Sequence, residues 1–249
     1  DDRDRIVRSV RSGDANDGRG LRKIPAYSLE AEHGTPAALF APLSAIVLAG
    51  GKGSRLGTDK AFVSLPGQSP LVQEVVRLLG QLTDDVLVVS GRPSAFSDLS
   101  ARLVRDAWPD GGALGGLYSG LLVAKYEYCL AVGCDMPFLD LALLRYMAAI
   151  ARNFDVLVPR LEGYLEPLHA IYSRRCLDFI RDQLATGDRR IVGFYDRVRT
   201  RYLDRPELES VDADLLSLFN INTPEQLRFA RRVASRKERA KASGGSRDS

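Results

Sequence analysis

The apolar run Ala45-Ile46-Val47-Leu48-Ala49 passes without a break into Gly50-Gly51-Lys52-Gly53-Ser54-Arg55-Leu56-Gly57-Thr58-Asp59-Lys60, and this junction constrains the fold more than any other stretch. Five consecutive apolar residues describe a strand buried on both faces, as parallel strands are when helices cover each side of their sheet. Downstream, Leu71, Val75, Leu78, Leu79 and Leu82 recur at helical spacing, and the Val-rich stretch 85–90 returns as a strand. Strand, glycine-rich loop, helix and strand form one βαβ unit. The expectation is an α/β protein: a three-layer α/β/α sandwich around a mostly parallel sheet.

The alternation continues to the end of the chain. It predicts a short strand at 103–105 and a helix that starts in a second glycine-rich loop, Gly111-Gly112-Ala113-Leu114-Gly115-Gly116, and runs toward Lys125. It predicts further strands at 128–132, 155–159, 167–172 and 201–203, and helices at 141–151, 176–184, 191–198 and 224–241. Thr223 before Pro224 matches a helix N-cap followed by proline at the first helical position. Residues 1–43 carry scattered charge, several glycines and no sustained apolar period, so an irregular N-terminal extension is expected there. The folded domain is placed at 44–241 and a disordered tail at 242–249.

Composition removes several classes of function. With 45% hydrophobic and 27% charged residues the chain reads as an ordinary globular protein. No apolar run approaches the roughly 20 residues of a membrane-spanning helix, and no secretory signal pattern is present, so a cytoplasmic location is expected. Three cysteines without Cys-x-x-Cys spacing imply neither a disulfide framework nor a zinc cluster, and they read as small apolar residues. A net charge of +3 does not argue for nucleic acid, nor do the tyrosines and Trp108 alternate with basic residues as base-stacking surfaces do. The Lys/Arg-rich segment from Arg231 reads as a solvated helix end with favourable charge for the helix dipole.

The first glycine-rich loop can bring unhindered backbone N–H groups against phosphate oxygens, with Arg55 and Lys60 supplying charge. Its Gly-x-Gly-x-x-x-Gly spacing fits neither the dinucleotide fingerprint nor a P-loop. Asp135 follows the strand at 128–132, at the carboxyl edge where loops converge and open α/β sheets bind ligands. His169 lies in an apolar strand-like run and reads as a packed or hydrogen-bonded histidine rather than a base. Asn220 and Asn222 flank an isoleucine, which allows either two amides on one face or a capping turn before Thr223-Pro224.

Leu48-Ala49-Gly50-Gly51, Arg55, Gly57 and Asp59-Lys60-Ala61 together resemble the signature of the molybdenum-cofactor guanylyltransferase family, within the nucleotide-diphospho-sugar transferase superfamily. The resemblance recurs in order at Asp106 before Gly-Ala-Leu-Gly-Gly-Leu, at Gly133-Cys134-Asp135-Met136-Pro137, at 166–172 and at Asn220-Ile221-Asn222-Thr223-Pro224-Glu225, and covers roughly residues 44 to 235. It implies a Rossmann-like domain that transfers GMP from GTP to the terminal phosphate of molybdenum-bound molybdopterin and releases pyrophosphate. Leu48, Ala49, Gly50 and Gly51 would then hold base and phosphates, Lys60 the phosphates and Asp106 the nucleoside, with Ser90 near the base. Arg55, Lys60 and Asp135 would be catalytic, Asp135 would ligate Mg²⁺, and Glu166, Asn220 and Asn222 would face the acceptor. Cofactor-delivery or acceptor proteins are implied as partners.

The chain departs from the family at Gly53, commonly Ser, and at Ala113, commonly Pro; Ser90 stands near a position that commonly carries an amide in guanine-binding members. These departures bear on base and acceptor. The alternatives are a nucleotidyltransferase using CTP or another NTP on a cytidylylated cofactor or sugar phosphate, and a nucleotide-binding regulatory module without turnover.

Overall fold

The computed structural model describes residues 41–50 and 60–244, with side chains as far as residue 240. Its elements, in chain order, are β1 (Ser44–Leu48), a 3-10 turn (Lys60–Phe62), α1 (Leu71–Leu79), β2 (Val86–Ser90), β3 (Arg102–Arg105), α2 (Gly112–Val123), β4 (Tyr128–Gly133) and α3 (Leu141–Ala149). They continue with β5 (Val156–Leu161), β6 (Tyr164–Leu165), β7 (His169–Ser173), α4 (Leu177–Ala185), a 3-10 helix (Ile191–Arg197), β8 (Thr200–Asp204), α5 (Arg205–Glu209) and α6 (Pro224–Gly244). The strands form one sheet in the order β3-β2-β1-β4-β7-β5-β6, with β8 also paired to β5. β3, β2, β1 and β4 are mutually parallel, β7 is antiparallel to β4 and β5, and β8 is parallel to β5.

Period-two alternation sorts each strand between the two helical layers. Ala45 and Val47 of β1, Val86 and Val88 of β2, and Leu130 and Val132 of β4 join one buried cluster with Val72, Val75, Val76 and Leu79 of α1 and Leu143, Leu144 and Met147 of α3. Ile46 and Leu48, Leu87 and Val89, and Cys129 and Ala131 point the other way, into a cluster with Leu114, Leu117 and Leu121 of α2 and Ile180 and Leu184 of α4. That is why these strands read as unbroken apolar runs: each face has its own helices to meet. At about 1.5–3 kcal/mol per fully buried aliphatic side chain, the two clusters dominate the stability of the domain.

The helix that grows out of the second glycine-rich loop packs at close approach to the sheet. A Cβ added at Gly120 of α2 would lie 2.7 Å from Ile46 Cγ2, so only glycine lets the helix settle this near β1. A third, smaller cluster joins Leu65, Leu71, Phe138 and Ile221 to Ala230 and Ala234 of α6.

The sheet edge remote from the strand carboxyl ends is tied together by Asp85. Its Oδ2 accepts from Ser44 Oγ at 2.6 Å and Lys125 N at 2.9 Å, and its Oδ1 pairs with Arg102. Burial opposes ionisation of this carboxyl, yet these donors hold it below the ordinary carboxylate range.

The expected three-layer α/β sandwich is present, with differences at four places. The helix expected at 191–198 is a 3-10 helix and ends at Arg197. Ile191, Phe194 and Tyr195 are buried at spacings both helix types satisfy, but a Cβ at Gly193 would lie 2.6 Å from Gln183 Nε2, so packing against α4 shapes the turn. The strand expected from residue 167 starts at His169, after the two-residue strand β6. Leu43, assigned to the irregular extension, is 1% exposed and belongs to the core; residues 1–40 lie outside the described residues. α6 runs to Gly244, past the expected boundary at 241. Among the described residues no helix is long and apolar enough to cross a membrane.

Candidate active site

Because β3, β2, β1 and β4 are parallel, their carboxyl ends open on one edge. Leu48 pairs with both Val89 and Gly133, and Ser90 pairs with Arg105. The pairing extends past the strands through Ala49 N to Val89 O (3.0 Å), Cys134 N to Leu48 O (3.3 Å) and Asp106 N to Ser90 O (3.2 Å). Leu48-Ala49-Gly50, Ser90, Asp106 and Cys134-Asp135 therefore leave the sheet side by side. β7 enters at this same edge, with His169 opposite Val132 and Gly133 N donating to Leu168 O at 3.3 Å, which brings Glu166 alongside. Finally, Ile221 N donates to Asp135 O at 2.9 Å and lays the segment 220–222 against Asp135.

At the centre stands Lys60. Its Nζ donates to Asn222 Oδ1 at 2.7 Å and lies 3.3 Å from Asp135 Oδ2. Both members of the ion pair are about one-fifth exposed, so the contact is open to an incoming ligand. A Cβ at Gly133 would come within 2.6 Å of Asp135 Oδ1; glycine here makes the space the carboxylate occupies. Near Asp135, Glu166 Oε2 accepts from Asn220 Nδ2 at 3.4 Å. Burial and the nearby Asp135 charge push the Glu166 carboxyl above its ordinary pKa, opposed by the Asn220 hydrogen bond.

The residues that leave β1, β2 and β3 are held more by backbone than by side chain. Leu48 buries its side chain against α2, and its carbonyl is engaged by Cys134. A Cβ on Gly50 would sit 4.0 Å from Ser90 Oγ, which places the buried Ser90 beside the start of the glycine-rich loop. That hydroxyl also accepts from Arg92 N at 3.1 Å. Asp106 Oδ1 accepts from Trp108 N at 2.9 Å and lies 3.0 Å from Ser119 Oγ, which itself accepts from Ala107 N at 2.8 Å. Ser119, on α2, is the anchor that sequence reasoning missed; a serine one turn after Gly115 carries no distinguishing local signal. Gly51 and Arg55 lie outside the described residues.

His169 and the cysteines lie in the packed core. His169 is fully buried, and neither ring nitrogen has a hydrogen-bond partner, so it is packed without being hydrogen-bonded. Burial pushes its pKa down to about 4 against the pull of Asp140. The three cysteines are buried thiols, and burial pushes Cys129 and Cys176 up to about 12.

The donor set suits a hard cation. Asp135 and Asn222 offer oxygen ligands, a cationic ammonium already pairs with both, and among the described residues no group of three or more His, Cys, Asp or Glu forms a closed cage. A hard cation that keeps waters in its shell, such as Mg²⁺, needs only a few such oxygen ligands from a protein.

The profile of the MobA-like NTP transferase domain matches residues 45–200. A molybdenum cofactor guanylyltransferase of Desulfosudis oleivorans is 36% identical over 190 residues, which are 76% of this chain and 94% of that protein. The crystal structure of molybdopterin-guanine dinucleotide biosynthesis protein A from Archaeoglobus fulgidus superposes with a TM-score of 0.70 at 27% identity, over 78% of this chain and 100% of that one. A 2-C-methyl-D-erythritol 4-phosphate cytidylyltransferase from Thermus thermophilus, at 16% identity and a TM-score of 0.58 over 78% of this chain and 100% of its own, shares the fold alone. The chain belongs to the MobA-like NTP transferase family.

Proposed function

We propose that the chain transfers GMP from GTP to the terminal phosphate of molybdenum-bound molybdopterin, releasing pyrophosphate. The observation that carries the reading is the meeting of Lys60, Asp135 and Asn222 at the middle of the sheet edge, between the β1–β3 loops and the Glu166–Asn220 side. A donor and an acceptor phosphate brought together there would meet over one cationic point. The relatives' named activity supports this choice of substrates.

An acceptor phosphate is already a competent nucleophile. One of its oxygens forms a bond to the α-phosphorus of GTP, and the bond to the pyrophosphate oxygen breaks. The protein has to align the two phosphates and offset their mutual repulsion, and it needs no Ser-His or Cys-His pair. Lys60 binds the donor phosphates with the glycine-rich loop, to which Arg55 adds charge. Gly50, Gly51, Ser90 and Asp106 line the nucleoside side, with Leu48 and Ala49 setting the loop's origin. Asp135 would hold Mg²⁺, and the Asn222 amide oxygen is a second oxygen available to it. When bound, Mg²⁺ neutralises phosphate charge and polarises the P–O bonds. Glu166 and Asn220 face the acceptor.

Purified protein with Mg²⁺, each of the four NTPs and molybdenum-bound molybdopterin should release pyrophosphate with GTP alone. Release with CTP reassigns the nucleotide, and release on sugar phosphates reassigns the acceptor. Absence of release with every acceptor makes the chain a nucleotide-binding module without turnover.

A further inference from the structure

Tyr164 is 79% exposed, the most open of the large apolar side chains among the described residues, and it has no ring, cation or hydrogen-bond partner. An exposed tyrosine alone is unremarkable in a surface. Three features set this one apart.

The first is rigidity. β6 pairs antiparallel with β5, Leu161 opposite Tyr164 and Arg160 opposite Leu165, across Glu162 and Gly163 with φ of 51° and 83°. Two consecutive positive-φ residues are the pattern of a tight two-residue hairpin. Glu162 Oε1 is gripped by Arg205 Nε at 3.1 Å and Nη2 at 2.8 Å, and Arg205 Nη1 also binds Glu209 Oε1 at 2.8 Å. Leu165 packs against the cluster of α2 and α4. The ring therefore projects from a pinned hairpin.

The second is its face. Glu166 N donates to Pro159 O at 3.1 Å, so the hairpin pairing continues one residue beyond β6. Strand alternation then puts Tyr164 and Glu166 on one face and Leu165 on the other. The third is direction. In the order β3-β2-β1-β4-β7-β5-β6, Asp135 follows β4; the nucleotide-side residues follow β1, β2 and β3, and β6 lies three strands away on the opposite side. An acceptor whose phosphate lies at Asp135 extends toward β6, away from the nucleoside.

We infer that Tyr164 is the stacking platform for the heteroaromatic ring of the acceptor, with Glu166 on the same face accepting hydrogen bonds from the ring's N–H edge. This rests on the acceptor named in the proposed function. A tyrosine offers a large rigid π-face at low entropic cost and tolerates a ring with polar edges.

The test is steady-state kinetics of GMP transfer to molybdenum-bound molybdopterin by the wild type, Tyr164→Ala and Tyr164→Phe, with thermal unfolding of each. In Tyr164→Ala the acceptor KM should rise about tenfold, with GTP KM and unfolding temperature unchanged, and Tyr164→Phe should match the wild type. A folded Tyr164→Ala whose acceptor KM stays within about twofold of wild type overturns the stacking role, as does a rise confined to GTP KM. A wild-type chain that transfers no GMP to this acceptor overturns the proposed function and the inference with it.

Discussion

Lys60 Nζ and Asn222 Oδ1, 162 residues apart in the chain, are 2.7 Å apart in the fold, and Asp135 Oδ2 lies 3.3 Å from the same ammonium. A cation, a carboxylate and an amide carried by three separate loops meet where β1 and β4 end. Lys60 is thus held by the segment 220–222 as well as by Asp135, and under the proposed function GTP phosphates would take over these contacts.

Replacing Lys60 by Met should lower kcat/KM for GTP by about 10²–10³-fold, the usual cost of deleting one charge-stabilising group. Stability should barely move, because a partly exposed pair contributes about 0–1 kcal/mol. Asn222→Ala should cost less, about tenfold, since the ammonium survives. Initial rates at varied GTP and a thermal melt decide this; a Lys60→Met enzyme with wild-type kcat/KM removes the residue from the mechanism.

Asp135→Asn keeps the shape and leaves the Ile221 N to Asp135 O backbone bond intact. The variant should fold with a wild-type circular dichroism spectrum, yet lose GTP-dependent Mn²⁺ binding and at least about 10²-fold in turnover. Chelation of the wild type by EDTA should stop turnover, and added Mg²⁺ should restore it. Undiminished Mn²⁺ binding by the variant would place the metal elsewhere.

A valine at Gly120 should destabilise the protein by about 1–3 kcal/mol, because its Cβ would lie 2.7 Å from Ile46 Cγ2 inside a packed layer. Denaturant unfolding measures the loss. Equal stability would mean that α2 can lift from β1 at no cost.

His169 supplies a pH test. Its imidazole is neutral in the fold down to about pH 4, whereas in the unfolded chain it titrates near 6.5. Between these values the unfolded chain binds the extra proton, so this contribution is complete above about pH 6.5 and is lost as the pH falls toward 4, by about 3 kcal/mol at most. His169→Leu should flatten that slope. It should also hold or raise stability at pH 7, because it removes two buried ring nitrogens with no partner. Urea melts from pH 7 to 4 read both effects, and an unchanged slope in the variant would clear His169 of the acid sensitivity.

The layers were legible in the sequence wherever burial is local and periodic. β1, β2 and β4 are apolar on both faces, and α1 keeps its apolar side at helical spacing, so elements and fold class followed directly. The two-residue strand β6 is too short to show a period, and it is stabilised by its partner β5 and by the Arg205 to Glu162 pair, which no local pattern encodes. The burial spacing of the 3-10 helix at 191–197 fits either helix type, so no local pattern in the sequence separates the two.

The glycine-rich loop, Asp135 at a strand end and the Asn-Ile-Asn segment were each visible as residue types suited to phosphate, metal and polar contacts. Sequence alone left Asn220 and Asn222 divided between a cap and a site. Tertiary structure assigned them different neighbours: Asn222 to Lys60, and Asn220 to Glu166. It also tied Asp106 to Ser119 across a helix and set Tyr164 on the face of Glu166. The physical reason is the range of the interactions. Side-chain periodicity reports what a residue meets within its own element, whereas these contacts depend on strand order and on which loops leave the same edge of the sheet.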